Sequence, residues 1–589
     1  MLRDGDSWRV YTNPKKIVSA KNPESLRETL ARVESHVKKG GEAVGILRYE
    51  AGYAFEPRLE ELLRRSRGEL AWFGLYDRCA AQKEIAFPED SKEKLLEKFR
   101  IGIDRKTYYS KIGAIRRYIE AGDVYQINYT TRVHFRTKHD AWRLFTILFV
   151  RHPAPHAAFV NMGAEQIVSL SPEMFFEIER GGIAARPMKG TAPRGKRLED
   201  DIQAGEALQK SEKNRAENVM IVDLLRNDLG RISRTGSVRT TKLFEVERYA
   251  SVWQMTSTIE GKLRKKSNIE SIVRALFPSG SVTGAPKIRA MELIAELEGR
   301  PRHVYTGSIG YFAPKEARFN VAIRTIELRG RNGTMGVGGG ITHDSSAAEE
   351  WEECRWKAAF LLQSEPEFQL IETLYWDGKY RFLSEHLARA KDSAEYFGFR
   401  FKEADGRAAL LKAARRFPER AQRVRMLLSR DGAVSLTHGD YSGERAGRAG
   451  ISAQRVSSRD RFLYHKTTNR ELYERAWKRA RSRGLDDLLF FNEKGELTEG
   501  SVHNVFLVKD GVWRTPPVEC GLLPGIFRAH ILRTNKNACE AILTRADLKR
   551  ADAVYLCNSV RGAFEVEVDS TGDLRVRRSA VGVPVQATG

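Results

Sequence analysis

The stretch ARPMKGTAPRG, residues 185–195, places Lys189 between Met188 and Gly190, where a short strand runs into a glycine turn. An amine in that setting is a candidate nucleophile when desolvation or nearby positive charge keeps it neutral. Carboxylates also fall in unexpected places. In SEKNRAENVMIVDLLRNDLGRI, Glu217 lies three, four and seven residues before Met220, Ile221 and Leu224, so a helix would carry its carboxylate onto the apolar stripe. A buried carboxylate needs a cation or a proton. The stretch AAEEWEECRWKAAFLLQ repeats the pattern, with Glu350, Glu353 and Lys357 on a face with Trp356 and Phe360. Two acids on separate helices could jointly hold Mg²⁺, which prefers oxygen ligands; the alternative is ordinary salt bridges with Lys357 or neighbouring arginines. Turns containing Gly280, Gly284 and Pro286, and Gly338, Gly339 and Gly340, would let backbone N–H groups approach an anion. The phosphate-loop pattern G-x-x-x-x-G-K-[ST] is missing, which disfavours nucleotide binding.

Positioning such groups requires folded domains, and 589 residues exceed what one core supports. The seam falls in QSEPEFQ, residues 363–369, where Pro366 follows a helical pattern, so domains are expected over 1–365 and 366–589. The first part alternates apolar strands (AVGILRY, LAWFGLY, AAFVNM, QIVSLS) with amphipathic helices, an α/β class of the α+β kind. The cleanest helix is YYSKIGAIRRYIEAGD, with Tyr108, Ile112, Ile115 and Ile119 on one stripe and Gly122 as its stop. Apolar runs such as LFTILFV are too short to span a bilayer, and the opening MLRDGDSWRV has no signal-peptide core, so a cytoplasmic protein without membrane attachment is expected. Five scattered cysteines lack CxxC spacing and suggest neither a disulfide framework nor a zinc site. The net charge of +23 first raises nucleic acid, but the basic residues alternate with acids and no binding signature accompanies them. No nucleic-acid partner is expected.

Taken in order, GDVYQIN, SPE, RPMKGTAPRG, AENVMIVDLLRNDLGRI, FPSGSVTGAPKIRAME, AIRTI, VGGGIT and EEWEECRWK resemble the chorismate-utilising enzyme family over most of residues 1–365. The resemblance implies an α/β sandwich-like fold and Mg²⁺-dependent chemistry on chorismate, a dianion. Anthranilate synthases resemble PIAGT at the turn, whereas aminodeoxychorismate synthases resemble PIKGT. The Lys189-Gly190-Thr191 sequence therefore implies a lysine that attacks C2 of chorismate and expels the 4-hydroxyl, with ammonia then displacing the lysine at C4. Glu173 would be the general acid. Glu217 and Glu353 would bind Mg²⁺, with Glu350 close by. Arg324 and Lys357 would neutralise substrate carboxylate, helped by Tyr305 and the backbone of Gly338, Gly339 and Gly340. Water-using relatives carry a lysine base where this chain has Gln126, so the glutamine implies ammonia. The family commonly has histidine at Gln254, and glutamine cannot become a cation there.

Residues 367–585 resemble fold-type IV pyridoxal-phosphate enzymes of the aminodeoxychorismate lyase and branched-chain aminotransferase kind, through FQLIETLYWDGKYRFLSEHLARAKDSAEYFGF, YHKTTNRELYERA, GELTEGSVHNVF, TPPVECGLLPGIFR and LCNSVRG. That resemblance implies Lys466 as the Schiff-base lysine and Glu499 opposite the pyridinium nitrogen. Arg389, the backbone of Gly525, Ile526 and Phe527, and Asn558 with Ser559 would cradle the cofactor phosphate; Thr373 would assist. Relatives often have threonine at Phe527, so only a backbone contact is expected there. Together the halves imply synthesis of 4-amino-4-deoxychorismate followed by loss of pyruvate to give 4-aminobenzoate for folate. The chain contains no G-x-C-x-G glutaminase elbow, so a separate glutamine amidotransferase would supply ammonia. Fold-type IV relatives are commonly dimers, so the resemblance allows a homodimer through the second domain. An aminotransferase of other specificity is the alternative, and a basic regulatory protein with an enzyme-like fold a more distant one.

Overall fold

The computed structural model describes residues 1–569 apart from 6, 67, 83–84, 86, 88–94, 250–251 and 363–365. Residues 363–365 of the expected seam and the end of the second expected domain thus lie outside the described residues. Two compact units form: one from Met1–Pro193 and Gly205–Glu365, the other from Arg194–Ala204 and Pro366–Gly589. Both mix helices and sheet.

The first unit contains two large antiparallel sheets. In one, the long strand Gln126–Thr137 pairs with Asn332–Ile341, with Gly340 opposite Asn128 and Gly338 opposite Thr130. In the other, Met188–Pro193 lies against Val252–Lys262, with Thr191 opposite Gln254. Each sheet has its own apolar cluster, one around Ile112, Phe145, Leu293 and Val337 and the other around Leu30, Phe176, Ile221 and Phe319. The helix Arg105–Glu120 buries Tyr108, Ile112 and Ile115, is capped by the Asp104 carboxylate accepting from the Thr107 N–H, and gives way to Gly122 at φ +79°.

Two helix faces differ from the sequence expectation. In Ala347–Ala359 the buried residues are Trp351, Cys354 and Ala358, while Trp356 is 41% exposed. Spacings of three and four define that stripe, so Glu350, Glu353 and Lys357 flank the apolar face and do not share it with Trp356. In Glu212–Gly230 the buried stripe runs through Asn218, Ile221, Val222, Leu225 and Leu229. Glu217 rides at its edge, partly open to water, and needs less compensation than a fully buried acid would.

One buried cation ties several of these elements together. Arg302 donates to both carboxylate oxygens of Glu298, to the carbonyls of Asn128 and Val282, and to the Thr306 hydroxyl, at 2.6–3.3 Å. Its guanidinium also lies 4.7 Å from the Tyr49 ring. Asn128 belongs to the long strand, and Val282 to the turn that carries Ser281. Removing Arg302 leaves the buried Glu298 side chain without its cation, held by the Thr130 N–H and hydroxyl, and frees both segments. Arg302→Met should lower unfolding free energy by about 3–5 kcal/mol, read from urea denaturation of the full chain.

The second unit combines a three-stranded antiparallel sheet, Leu370–Trp376, Gln422–Leu428 and Val434–Asp440, with an eight-stranded mixed sheet that includes Asp487–Phe491, Leu497–Gly500, Asn504–Lys509 and Ala553–Asn558. Among the described residues no helix is long and apolar enough to cross a membrane.

Candidate active sites

In the first unit the Lys189 ammonium sits 3.2 Å from a Glu217 carboxylate oxygen. A β-carbon at Gly340 would fall 2.4 Å from Lys189 Nζ and 2.8 Å from Gln126 Nε2; one at Gly339 would lie 3.0 Å from Glu350 and 3.8 Å from Glu353. The bare glycine backbone is what lets these charges converge. Glu353 pairs with Lys357 at 2.6 Å, and Lys357 also donates to the Gly338 carbonyl at 2.8 Å. Burial and the neighbouring Glu353 raise the Glu350 carboxyl, which accepts from the Ser345 hydroxyl. Burial works to raise Glu353 as well, but the Lys357 charge outweighs it and holds that group below its ordinary value. Among the described residues no three His, Cys, Asp or Glu side chains converge as a metal cluster. The three glutamates instead surround two ammonium groups. As partly buried carboxylate oxygens they are donors of the type a hard divalent cation takes.

Glu173 is 4% exposed, and burial pushes its carboxyl up to about 7. The Ser281 hydroxyl at 2.6 Å, the Met188 N–H and the Lys189 charge oppose that shift. This carboxyl can therefore hold a proton near neutrality and release it. Gln126 is fully buried, and neither its amide nitrogen nor its amide oxygen has a hydrogen-bond partner among the described residues. An amide left this way costs about 1–3 kcal/mol, so the position is built for a polar molecule to complete. Gln254 donates to the Gly190 carbonyl at 2.8 Å and accepts from the Thr191 hydroxyl at 3.0 Å. It braces the turn that carries Lys189, a task that needs no positive charge.

Tyr305 packs over Gly336, and its hydroxyl is raised by burial. Arg324 adopts a left-handed backbone at φ +48°, lies 5.9 Å from the Phe360 ring, and is lowered by desolvation, with no carboxylate paired to it among the described residues. Such a guanidinium is prepared for an incoming carboxylate. Motif reasoning passed over Asn218, which donates to the Lys189 carbonyl and accepts from the Ser257 hydroxyl at 2.6 Å. Its position immediately after Glu217 was the available signal. Ser281, the donor to Glu173, likewise sits inside FPSGSVTGAPKIRAME, but no periodicity marked it.

In the second unit a cavity of about 460 Å³ is lined by Lys466, Glu499, Arg389, Asn504, Gly525, Ile526, Asn558 and Ser559, among others. Burial lowers the Lys466 ammonium to about 7, helped by the Arg470 and Arg389 charges. Burial raises Glu499 to about 8, against bonds from the Leu523 N–H and the Tyr473 hydroxyl. The helix Ile526–Thr534 opens at Gly525 with no side-chain cap, and a β-carbon there would strike Asn504 Oδ1 at 1.8 Å. Uncapped N–H groups at such an end suit a phosphate, and they fit the expected cofactor. Arg389 is less free than expected. It makes a two-pronged bond to Glu372 at 2.9 and 2.7 Å, and its remaining contact is the Pro524 carbonyl just before that helix. Burial works to raise Glu372, yet Arg389 and His386 hold it down to about 2, which keeps this ion pair intact. Asn558 is occupied by the Val560 and Arg561 N–H groups, and Ser559 donates to the Thr373 carbonyl. The Phe527 ring packs against Phe382, in keeping with a backbone role alone.

A family profile described as chorismate binding enzyme matches residues 2–363. The chain belongs to the chorismate-binding enzymes. A second profile, amino-transferase class IV, matches residues 369–568. The chain is 44% identical over 262 residues to an aminodeoxychorismate synthase of Streptomyces griseus, a match covering 44% of this chain and 36% of that protein. It is 40% identical over 260 residues to aminodeoxychorismate synthase component 1 of Klebsiella aerogenes, covering 44% of this chain and 58% of that one. It thus spans less than two thirds of either relative. Among solved structures it resembles anthranilate synthase component I from Streptococcus pneumoniae TIGR4, with TM-score 0.53 and 26% identity, over 61% of this chain and 92% of that one.

In this chorismate-binding enzyme, space at Gly340 governs the meeting of Lys189 and Gln126. Gly340→Ala should keep the fold but weaken chorismate binding about tenfold or more in calorimetric titration, because the methyl displaces both groups.

Proposed function

We propose that the first unit converts chorismate and ammonia to 4-amino-4-deoxychorismate, and that the second removes pyruvate from that product to leave 4-aminobenzoate. The observation that carries the reading is the meeting of Lys189, an amine, with buried Glu173, a carboxyl able to hold a proton near pH 7. Glu217, 3.2 Å away, orients Lys189. Lys189, acting as the neutral amine, forms a bond to C2 of the ring while the C4–oxygen bond breaks, and Glu173 protonates the departing hydroxyl so that water leaves. Ammonia, oriented by the unpartnered Gln126 amide, bonds at C4 as the C2–nitrogen bond to Lys189 breaks. Arg324, Tyr305 and Lys357 would receive the substrate carboxylates. Glu217 and Glu353, with Glu350 close by, would hold Mg²⁺, which when bound supplies positive charge for the ring carboxylate.

In the second unit, Lys466 and Glu499 face the cavity in which pyridoxal phosphate, when bound, supplies an electron sink. Lys466 would move the proton at C4 of the substrate as the pyruvyl group leaves, Glu499 would face the ring nitrogen, and the helix beginning at Ile526 would face the phosphate. The ion pair with Glu372 makes Arg389 a brace for the Pro524 loop in this reading. Ammonia would come from a separate glutamine amidotransferase, in keeping with the component 1 names of the relatives. The remaining expectations, a homodimer through the second unit and a cytoplasmic setting, belong to the same proposal.

The test is incubation of the full chain with chorismate, Mg²⁺ and ammonium, with 4-aminobenzoate and pyruvate measured. Both should appear in equal amounts, and Lys189→Ala should abolish them while still converting supplied aminodeoxychorismate. Anthranilate as product would remove the role given to Lys189. Exchange of amino groups with a keto acid, without pyruvate, would assign the second unit to the aminotransferases. A further expectation concerns pH. Lys466 captures cofactor as the neutral amine, so the rate of pyridoxal phosphate uptake by cofactor-free protein should rise as pH climbs through about 7 and level off above it, followed by visible absorbance.

A further inference from the structure

The second unit holds a segment that its sequence profile does not cover. Residues 194–204 lie within the stretch matched as chorismate binding enzyme, yet they pack as part of the second unit. The segment is a folded strap. The Asp201 carboxylate, which is fully buried, accepts from Arg194 Nε at 2.6 Å and from the Gly195 N–H at 2.9 Å, and the Asp201 N–H returns to the Arg197 carbonyl. That closed turn leaves the carbonyls of Gly195 and Lys196 facing outward.

Both carbonyls are taken, one by Tyr396 and the other by His465, the residue before Lys466. The Tyr396 hydroxyl donates to the Gly195 carbonyl at 2.7 Å, and the Arg194 guanidinium lies 4.7 Å from the Tyr396 ring while donating to its carbonyl. His465 Nε2 is 3.0 Å from the Lys196 carbonyl, and its Nδ1 is 3.0 Å from the Ser393 hydroxyl. A carbonyl only accepts, so Nε2 carries the proton and the hydroxyl donates to Nδ1. The His465 ring is 6% exposed, stacks on Tyr396 at 4.4 Å and meets the edge of Phe397 at 4.8 Å. Burial lowers it to about 4, so it stays neutral in this cage. The next residue is Lys466, whose carbonyl accepts from the Ile371 N–H at 2.8 Å. The peptide of Lys466 is therefore gripped on one side by a strand and on the other by the strap, acting through His465.

We infer that residues 194–204 are an integral part of the cofactor-binding unit and that His465 is a positioning residue, carrying the hold of the strap to Lys466. The inference rests on the reading of Lys466 as the cofactor lysine. It implies that the second unit's sequence alone, from residue 366 onward, lacks a piece of its own site. Lys466 gains from this a fixed backbone, so that its side chain enters the cavity from one direction.

The test uses the full chain and two variants. Tyr396→Phe deletes one bond to the strap while keeping the ring; His465→Phe deletes both of the histidine's bonds while keeping an aromatic ring. Trypsin cleavage after Arg194, Lys196 and Arg197 reports the strap without any cofactor. Cleavage there should be slow in the unaltered protein, about fivefold faster in Tyr396→Phe, as expected for loss of one hydrogen bond, and faster still in His465→Phe. With pyridoxal phosphate bound, the pH midpoint of its visible absorbance should shift in His465→Phe, and the cofactor should dissociate faster. Equal cleavage rates in all three proteins would overturn the strap, and an unchanged absorbance midpoint and cofactor release in His465→Phe would overturn the role of His465. Failure of the underlying reading has a different signature: Lys466→Ala would still give the lysine-dependent absorbance.

Discussion

The first site depends on an empty space. With no side chain on Gly340, the Lys189 ammonium and the Gln126 amide stand where a β-carbon would collide with both. Charges gathered this closely must be balanced, and the surrounding residues supply the balance in pairs: Glu217 against Lys189, and Glu353 against Lys357. Two helices, Glu212–Gly230 and Ala347–Ala359, present these acids from the margins of their apolar faces. That is the physical compromise the site requires. Fully buried, the acids would be held neutral or locked in place; fully exposed, water would screen them.

Within that arrangement the polar groups divide into those already satisfied and those left waiting. Gln254, Asn218 and Thr191 spend their hydrogen bonds on the backbone and neighbours of the Lys189 turn, and so set its geometry. Among the described residues Gln126 has no such partner and Arg324 has no carboxylate beside it, and both are withdrawn from water. A folded chain retains groups of the second kind at a cost of order a few kcal/mol, and a ligand that completes them recovers that cost. Glu173 stands between the two kinds, hydrogen-bonded by Ser281 yet raised by burial to about 7.

The second site follows a different plan, because carboxylates such as Glu372 and Glu499 are more fully buried than Glu217 and Glu353. Burial moves Lys466 and Glu499 toward each other, to about 7 and about 8, so neither is firmly ionised in the protein alone. Arg389 is held by Glu372, and this pair braces the loop before the uncapped helix end. The braced parts are thus the Arg389–Glu372 ion pair and the strap; the titrating parts are the groups that face the cavity.

Much of this was legible in the residues before any coordinates. The ordered motifs carried the family, and they singled out the lysine at 189 and the glutamates at 173, 217, 350 and 353 as candidates. Periodicity located the helix with Tyr108, Ile112 and Ile115. It misjudged the face of the helix with Trp356, since a three- or four-residue rhythm permits neighbouring stripes and only packing selects between them. Nor could local sequence reveal that Glu372 engages Arg389, that Gln254 braces the Gly190 turn, or that residues 194–204 serve the unit containing Lys466. Those are contacts between residues 17, 64 and 269 positions apart. The sequence by itself determined which chemical groups are available and which family positions they occupy. The tertiary structure decided which of those groups are paired, braced or left open, because pairing depends on distance and burial, and both arise only when remote segments pack.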